Sequence, residues 1–140
     1  MDSEVRTGRR SLFIGFIVWA VATALLVPYG HVLFSAESRL RAGLWSASIV
    51  VATFVGVYRL ARALLPRAAR LEQGALIGAA LCLPGLALDG ALYALNAGRY
   101  PRLDDSGSGM MTVTLLLAYA AALASAQLAA LRSLRNGGNR

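Results

Sequence analysis

The chain contains no lysine, and it has only one cysteine and one histidine among its 140 residues. A single cysteine cannot form an internal disulfide or a multi-cysteine metal site, so Cys82 is expected to be a small buried side chain. His31 has no second histidine with which to bind a metal. No serine or threonine has a histidine at a similar depth in the membrane that could act as its catalytic base. No glycine-rich motif for binding phosphate occurs. The sequence therefore predicts no enzyme, no cofactor and no metal site.

Charge is also scarce. Charged residues make up 15% of the chain and apolar residues 57%, whereas soluble domains are roughly a quarter charged and under half apolar. This composition argues against a soluble enzyme or a disordered chain and indicates an integral membrane protein. All 14 basic residues are arginines and the net charge is +7. The arginines lie between apolar runs, which argues against nucleic acid as a partner and predicts contact with anionic lipid headgroups at the cytoplasmic face.

Four apolar runs predict an all-α fold, a single four-helix transmembrane bundle over residues 1–140. The predicted helices cover residues 11–29, 42–60, 75–96 and 110–131. A bilayer core about 30 Å thick needs about 20 residues of helix, so each run is long enough to cross it. The first run is longer than the apolar part of a signal peptide, and we expect it to stay as a membrane anchor.

The arginines also predict an orientation. If the N-terminus is cytoplasmic, ten arginines lie inside and four outside. Positive residues are retained on the cytoplasmic side, so both termini are predicted to be there. Trp19 lies in the middle of the first helix, and we expect it to pack between helices rather than at the membrane interface.

Small residues mark two helix faces. The third run opens with a GxxxG at Gly74 and Gly78, and the fourth carries an alanine at every fourth position. These alanines are Ala118, Ala122, Ala126 and Ala130. Small residues let helices approach closely in lipid. The pattern fits packing within one bundle, and it also fits association with a second copy or with a larger membrane complex.

Asp89 is the one acidic residue inside a predicted helix. It follows Pro84 and Gly85, where the missing backbone N–H of proline predicts a kink. A charged side chain near the bilayer centre costs about 2.5–3.5 kcal/mol on insertion scales and usually faces the bundle interior or water. The polar side chains expected near it, from depth or helical spacing, are Thr23, Ser48, Tyr93, Asn96, Thr114 and Tyr119. Asp89 is either a hydrogen-bonded structural anchor or a carboxylate that binds a proton or a cation.

Three stretches carry a resemblance to a known family. They are residues 15–23 (GFIVWAVAT), 83–89 (LPGLALD) and 100–103 (YPRL). Over about residues 10–130 the chain resembles a bacterial family of four-helix membrane proteins, the domain of unknown function 5367 type, although its fourth helix is rich in alanine where the family has more aromatic residues. The resemblance implies the four-helix fold and a location in the bacterial inner membrane. It implies no activity.

The function predicted from these features is that of a small multi-pass inner-membrane protein without enzymatic activity. It would be a structural or accessory subunit that packs with itself or with a larger membrane complex. The alternative is a small carrier, coupled to protons or cations, that works through Asp89.

Overall fold

The computed structural model describes residues 2–34, 39–65, 70–96, 100 and 103–137. These residues form four helices: α1 (Asp2–Leu33), α2 (Arg39–Leu64), α3 (Leu71–Leu95) and α4 (Asp105–Gly137). All four are long and apolar enough to cross a membrane, with candidate spans of 25 to 31 residues. The all-α, four-helix class predicted from the sequence is confirmed, and the chain has the character of a multi-pass membrane protein.

Most helix ends lie beyond the predicted apolar runs. The largest differences are at α1, which begins at Asp2, and at α4, which begins at Asp105 rather than near residue 110 and ends at Gly137 rather than near residue 131. The start of α4 is a Gly- and Ser-rich segment, and Asp104 explains why it is helical. The carboxylate of Asp104 accepts a hydrogen bond from the backbone N–H of Gly107 at 2.6 Å. This is the N-cap arrangement that satisfies an otherwise unpaired donor of the first turn.

The helices form a bundle in which neighbours follow the order α1, α3, α4, α2. α3 packs on α4, α1 packs on α3, and α2 packs on α4, whereas α1 and α2 touch only slightly. The side of the bundle between α1 and α2 is therefore the most weakly packed.

Small residues join α3 to α4. A Cβ atom placed at Gly74 would lie 2.7 Å from the Cβ of Ala130, and one at Gly78 would lie 3.1 Å from the Cβ of Ala126. The alanine face of α4 is buried inside the chain, and Ala126 and Ala130 are fully inaccessible. Close packing of small residues thus occurs between helices of the same chain, so this face is not free for a second copy.

Two apolar clusters lie at opposite ends of the bundle. The Ile77 cluster contains Ala61, Ile77, Leu81, Ala126 and Ala129, with Ile14 of α1 packed against it. The Tyr100 cluster contains Phe34, Tyr100, Leu103 and Met111. The Ile77 cluster joins the first part of α1 to the last part of α4, so both chain ends point to the same end of the bundle. At that end Arg132 lies over the ring of Tyr58, 5.5 Å from its centroid, and donates a hydrogen bond of 3.0 Å to its hydroxyl.

α3 continues without interruption through Pro84, as α1 does through Pro28. Proline has no backbone N–H, so one intrahelical hydrogen bond is absent at each position. A bend at Pro84 and Gly85 stays a prediction.

Candidate functional site

Asp89 is on α3, and its side chain contacts α1 and α4. Each of its two carboxylate oxygens accepts a hydrogen bond. The indole Nε1–H of Trp19 on α1 donates to Oδ1 at 2.8 Å. The hydroxyl of Tyr119 on α4 donates to Oδ2 at 2.5 Å. Only 9% of Asp89 is exposed. A buried carboxylate is costly unless it is hydrogen-bonded, and these two donors supply that stabilisation while linking three helices.

Gly85 makes room for this arrangement. It lies one turn before Asp89 on the same face of α3, and a Cβ atom at this position would be 2.5 Å from the hydroxyl oxygen of Tyr119. Glycine therefore lets the tyrosine ring cross the surface of α3 and reach the carboxylate. The thiol of Cys82, on the same face, lies 3.9 Å from the backbone carbonyl of Tyr119.

Asp89 forms part of the wall of a cavity of about 150 Å³ in the middle of the bundle. All four helices line the cavity, together with Tyr100 from the segment between α3 and α4. The lining is mainly aliphatic. The lining residues that carry a polar group are Trp19, Thr23, Thr53, Cys82, Asp89, Tyr100 and Tyr119. Among all lining residues Asp89 is the one acid, and none is basic.

The walls of the cavity differ in exposure. Most of the lining residues of α3 are buried, namely Leu81, Cys82, Gly85 and Asp89, whereas Leu92 is half-buried. The lining residues of α2, by contrast, are all half-buried, as are most of those on α1. The cavity floor, formed by α3 and α4, is thus more buried than the side formed by α1 and α2.

Tyr100 covers the cavity from the end opposite the chain termini. Its ring contacts that of Tyr93, with centroids 5.5 Å apart, and its backbone N–H donates to the hydroxyl of Ser108 at 3.1 Å. Burial raises the pKa of Tyr100 to about 12, and the negative charge of Asp89 contributes to the shift, followed by Tyr93. The Tyr100 phenol therefore keeps its proton at neutral pH.

The structure brings two of the predicted partners to the site. Tyr119 bonds Asp89 directly, and Thr23 lines the same cavity. The predicted packing residues are close to it, since Ala118 and Ala122 form part of the cavity floor.

The other four polar side chains expected near Asp89 make their contacts elsewhere. Ser48 is exposed and donates to the carbonyl of Leu44 in its own helix. Thr114 pairs with Ser46 at 2.7 Å, toward α2 rather than α3. These expectations were based on depth alone, and depth does not determine the direction in which a side chain points around its helix.

Tyr93 and Asn96 lie on the same helix as Asp89, one and two turns beyond it. Tyr93 contacts Tyr100 instead, and Asn96 is exposed and donates to the carbonyl of Leu92 at 2.7 Å. Helical spacing thus places these two residues near Asp89 in sequence, but their contacts in the structure are with other groups.

Trp19 is the site residue that sequence reasoning missed as a partner. The signal was present, because an indole N–H in the middle of an apolar helix needs an acceptor. Asp89 is the one carboxylate inside a predicted helix, and matching the two would have identified the pair. In the described part of the chain, no three His, Cys, Asp or Glu side chains are grouped so that they could hold a metal ion.

No protein-family model, curated protein or solved structure matches this chain. The resemblance to the four-helix family of unknown function therefore stays a hypothesis.

Proposed function

We propose that the chain is a small carrier in the bacterial inner membrane and that it binds its cationic solute, or a proton, at Asp89. The observation that supports this proposal is the position of the carboxylate in the wall of an internal cavity. A carboxylate used only to hold helices together needs donors but no adjoining space. Asp89 has both the donors and the space.

Asp89 keeps acceptor capacity for a solute. A carboxylate has about four lone-pair positions, and two are used by Trp19 and Tyr119. No arginine forms an ion pair with Asp89 within the described residues, so a bound cation or proton would supply the missing positive charge. Intramembrane carboxylates of this kind mark ion and proton pathways in transport proteins.

The second candidate is the structural or accessory subunit that the sequence favours, in which Asp89 serves only as an anchor between helices. Its support is that Trp19 and Tyr119 tie α1 and α4 to α3 through Asp89. The alanine face of α4, which could have served a second copy, is already covered within the chain. That burial weakens the case for an assembly subunit.

Transport by purified protein in proteoliposomes separates the two candidates. Dissipation of a pH gradient and uptake of organic cations are measured for the wild type and for Asp89→Asn. Asparagine keeps the shape and can still pair with the donors, but it neither titrates nor carries charge. We expect activity in the wild type and its loss in the variant, with unchanged helix content by circular dichroism. Equal signals from the two proteins would exclude the carrier and leave the anchor.

A further inference from the structure

The size of the cavity limits what can occupy it. An apolar cavity of about 150 Å³ accommodates a molecule about as large as benzene, and the cavity beside Asp89 has this volume. Its aliphatic lining cannot replace the hydration shell of an inorganic cation, which needs several oxygen ligands. The lining therefore favours an organic solute with an apolar body.

The charge of the cavity lining determines whether the solute is a cation or an anion. Asp89 is the one acid of the lining and has no basic counterpart there. An anion would meet an uncompensated carboxylate at short range in a poorly solvated space. A cation would complete an ion pair, and an ammonium N–H can use the free acceptor positions of Asp89. The rings of Trp19, Tyr100 and Tyr119 in the wall also favour a cation, which they attract through their faces.

The route to the cavity follows from where the bundle is sealed. The Ile77 cluster fills one end of the bundle and the Tyr100 cluster fills the other. The side between α1 and α2 is the most weakly packed, because these helices touch only slightly, and their cavity-lining residues are mostly half-buried. In a membrane this side faces the hydrocarbon region rather than water.

We infer that the cavity binds a small organic ammonium ion with an apolar body about the size of a benzene ring, and that this ion enters from the bilayer between α1 and α2. The inference rests on the proposed function for its site, but it concerns binding and access rather than transport. An ion that partitions into the membrane through its apolar part meets the carboxylate without crossing either end cluster.

Trp19 provides a direct readout. The chain has two tryptophans, and Trp45 lies on α2 outside the cavity lining. The variant Trp45→Phe leaves Trp19, which bonds Asp89, as the single fluorophore. Benzylammonium, its neutral isostere ethylbenzene and the anion benzoate are titrated against this protein in detergent.

We expect a saturable change in Trp19 fluorescence with benzylammonium. The apparent affinity for ethylbenzene should be weaker by about tenfold or more, because the charge-assisted hydrogen bond is lost, and benzoate should give no saturable change. Adding Asp89→Asn should weaken benzylammonium binding, whereas Asp104→Asn at an exposed acid should not.

Equal affinities for benzylammonium and ethylbenzene would overturn the inference, and this comparison uses the protein with Asp89 intact. Binding that shows the expected selectivity, with no transport in proteoliposomes, would instead exclude the carrier and retain the binding site.

The route is tested by quenching the same Trp45→Phe protein in liposomes. Lipids with brominated acyl chains should quench Trp19 strongly, aqueous iodide should quench it weakly, and saturating benzylammonium should reduce quenching by the brominated lipids. Strong quenching by iodide with weak quenching by brominated chains would show that the site opens to water, and it would overturn access from the bilayer.

Discussion

The hydroxyl of Tyr119 occupies the space that a side chain at Gly85 would need. A Cβ atom at position 85 would lie 2.5 Å from the hydroxyl oxygen and 3.0–3.1 Å from two ring carbons. The hydrogen bond between Tyr119 and Asp89 thus depends on a residue that takes no part in it. A side chain at position 85 would therefore require the Tyr119 ring to shift, and the space available to it is the adjoining cavity.

The first prediction follows from this contact. Gly85→Ala should displace the Tyr119 hydroxyl from Asp89 and lower thermal stability in detergent, at a cost of about 1–3 kcal/mol for the unmade hydrogen bond. Gly90→Ala is the matched control, since it lies on the same helix and an added Cβ would meet nothing within 4 Å. The control should be neutral or slightly stabilising, because alanine favours helix. Equal melting temperatures for the two variants would contradict the role of Gly85.

The second prediction concerns the stability that Asp89 provides. Asp89→Leu removes the acceptor of both Trp19 and Tyr119, and each donor left unpaired costs about 1–3 kcal/mol. Asp89→Asn retains an oxygen acceptor, so it should be less destabilising. The loss of unfolding free energy caused by Asp89→Leu should be smaller in a chain that also carries Trp19→Phe and Tyr119→Phe, because both hydrogen-bond donors are then absent. An unchanged cost in that background would show that the two hydrogen bonds contribute nothing measurable.

The number of helices and the burial of Asp89 among hydrogen-bond donors could both be predicted from the sequence, for physical reasons. Apolar runs of membrane-spanning length have few alternatives to helix in lipid, where every backbone polar group must be paired internally. A carboxylate within such a run needs partners or water, which identified Asp89. Its depth in the run also identified Tyr119 as a partner.

The lateral arrangement could not be predicted. Which helices are neighbours depends on packing between distant segments, and hydropathy contains no information about it. The pairing of α1 with α3 brings Trp19 to Asp89, and the pairing of α2 with α4 turns Thr114 toward Ser46. The cavity arises from the same arrangement, because all four helices contribute to its wall.

The third prediction tests the small-residue contact between α3 and α4. Ala126 is fully buried, and it lies against Gly78. Ala126→Leu should force the helices apart and cost about 1–3 kcal/mol, as overpacking of a close interface does. Ala124→Leu, on the exposed side of the same helix, should leave the melting temperature nearly unchanged. Similar losses in both variants would mean that the leucine, and not the close contact, is responsible.

The fourth prediction concerns orientation. With both termini in the cytoplasm, Ser106 at the start of α4 faces the outside and Ser133 near its end faces the inside. Single cysteines at these positions, in a Cys82→Ala chain, are treated with a membrane-impermeant maleimide on intact cells. Label is expected at position 106, and at position 133 only after the cells are permeabilised. Label at position 133 alone on intact cells would reverse the orientation.

The last prediction concerns alkaline pH. The pKa of Tyr100 is raised from 10.0 to about 12, mainly by burial. Between these values the folded protein keeps a proton that the unfolded chain has lost, so the stability contributed by Tyr100 is fully present below pH 10 and is lost as the pH rises toward 12. A group fully protonated in one state and ionised in the other changes the unfolding free energy by about 1.4 kcal/mol per pH unit.

The variant Tyr100→Phe has no phenol to titrate at this position, so its stability should decline less steeply than that of the wild type between pH 10 and 12. Denaturation of both proteins in detergent at several values between pH 9 and 12 measures the two slopes. Parallel slopes would show that Tyr100 is accessible to solvent, and that it does not cover the cavity.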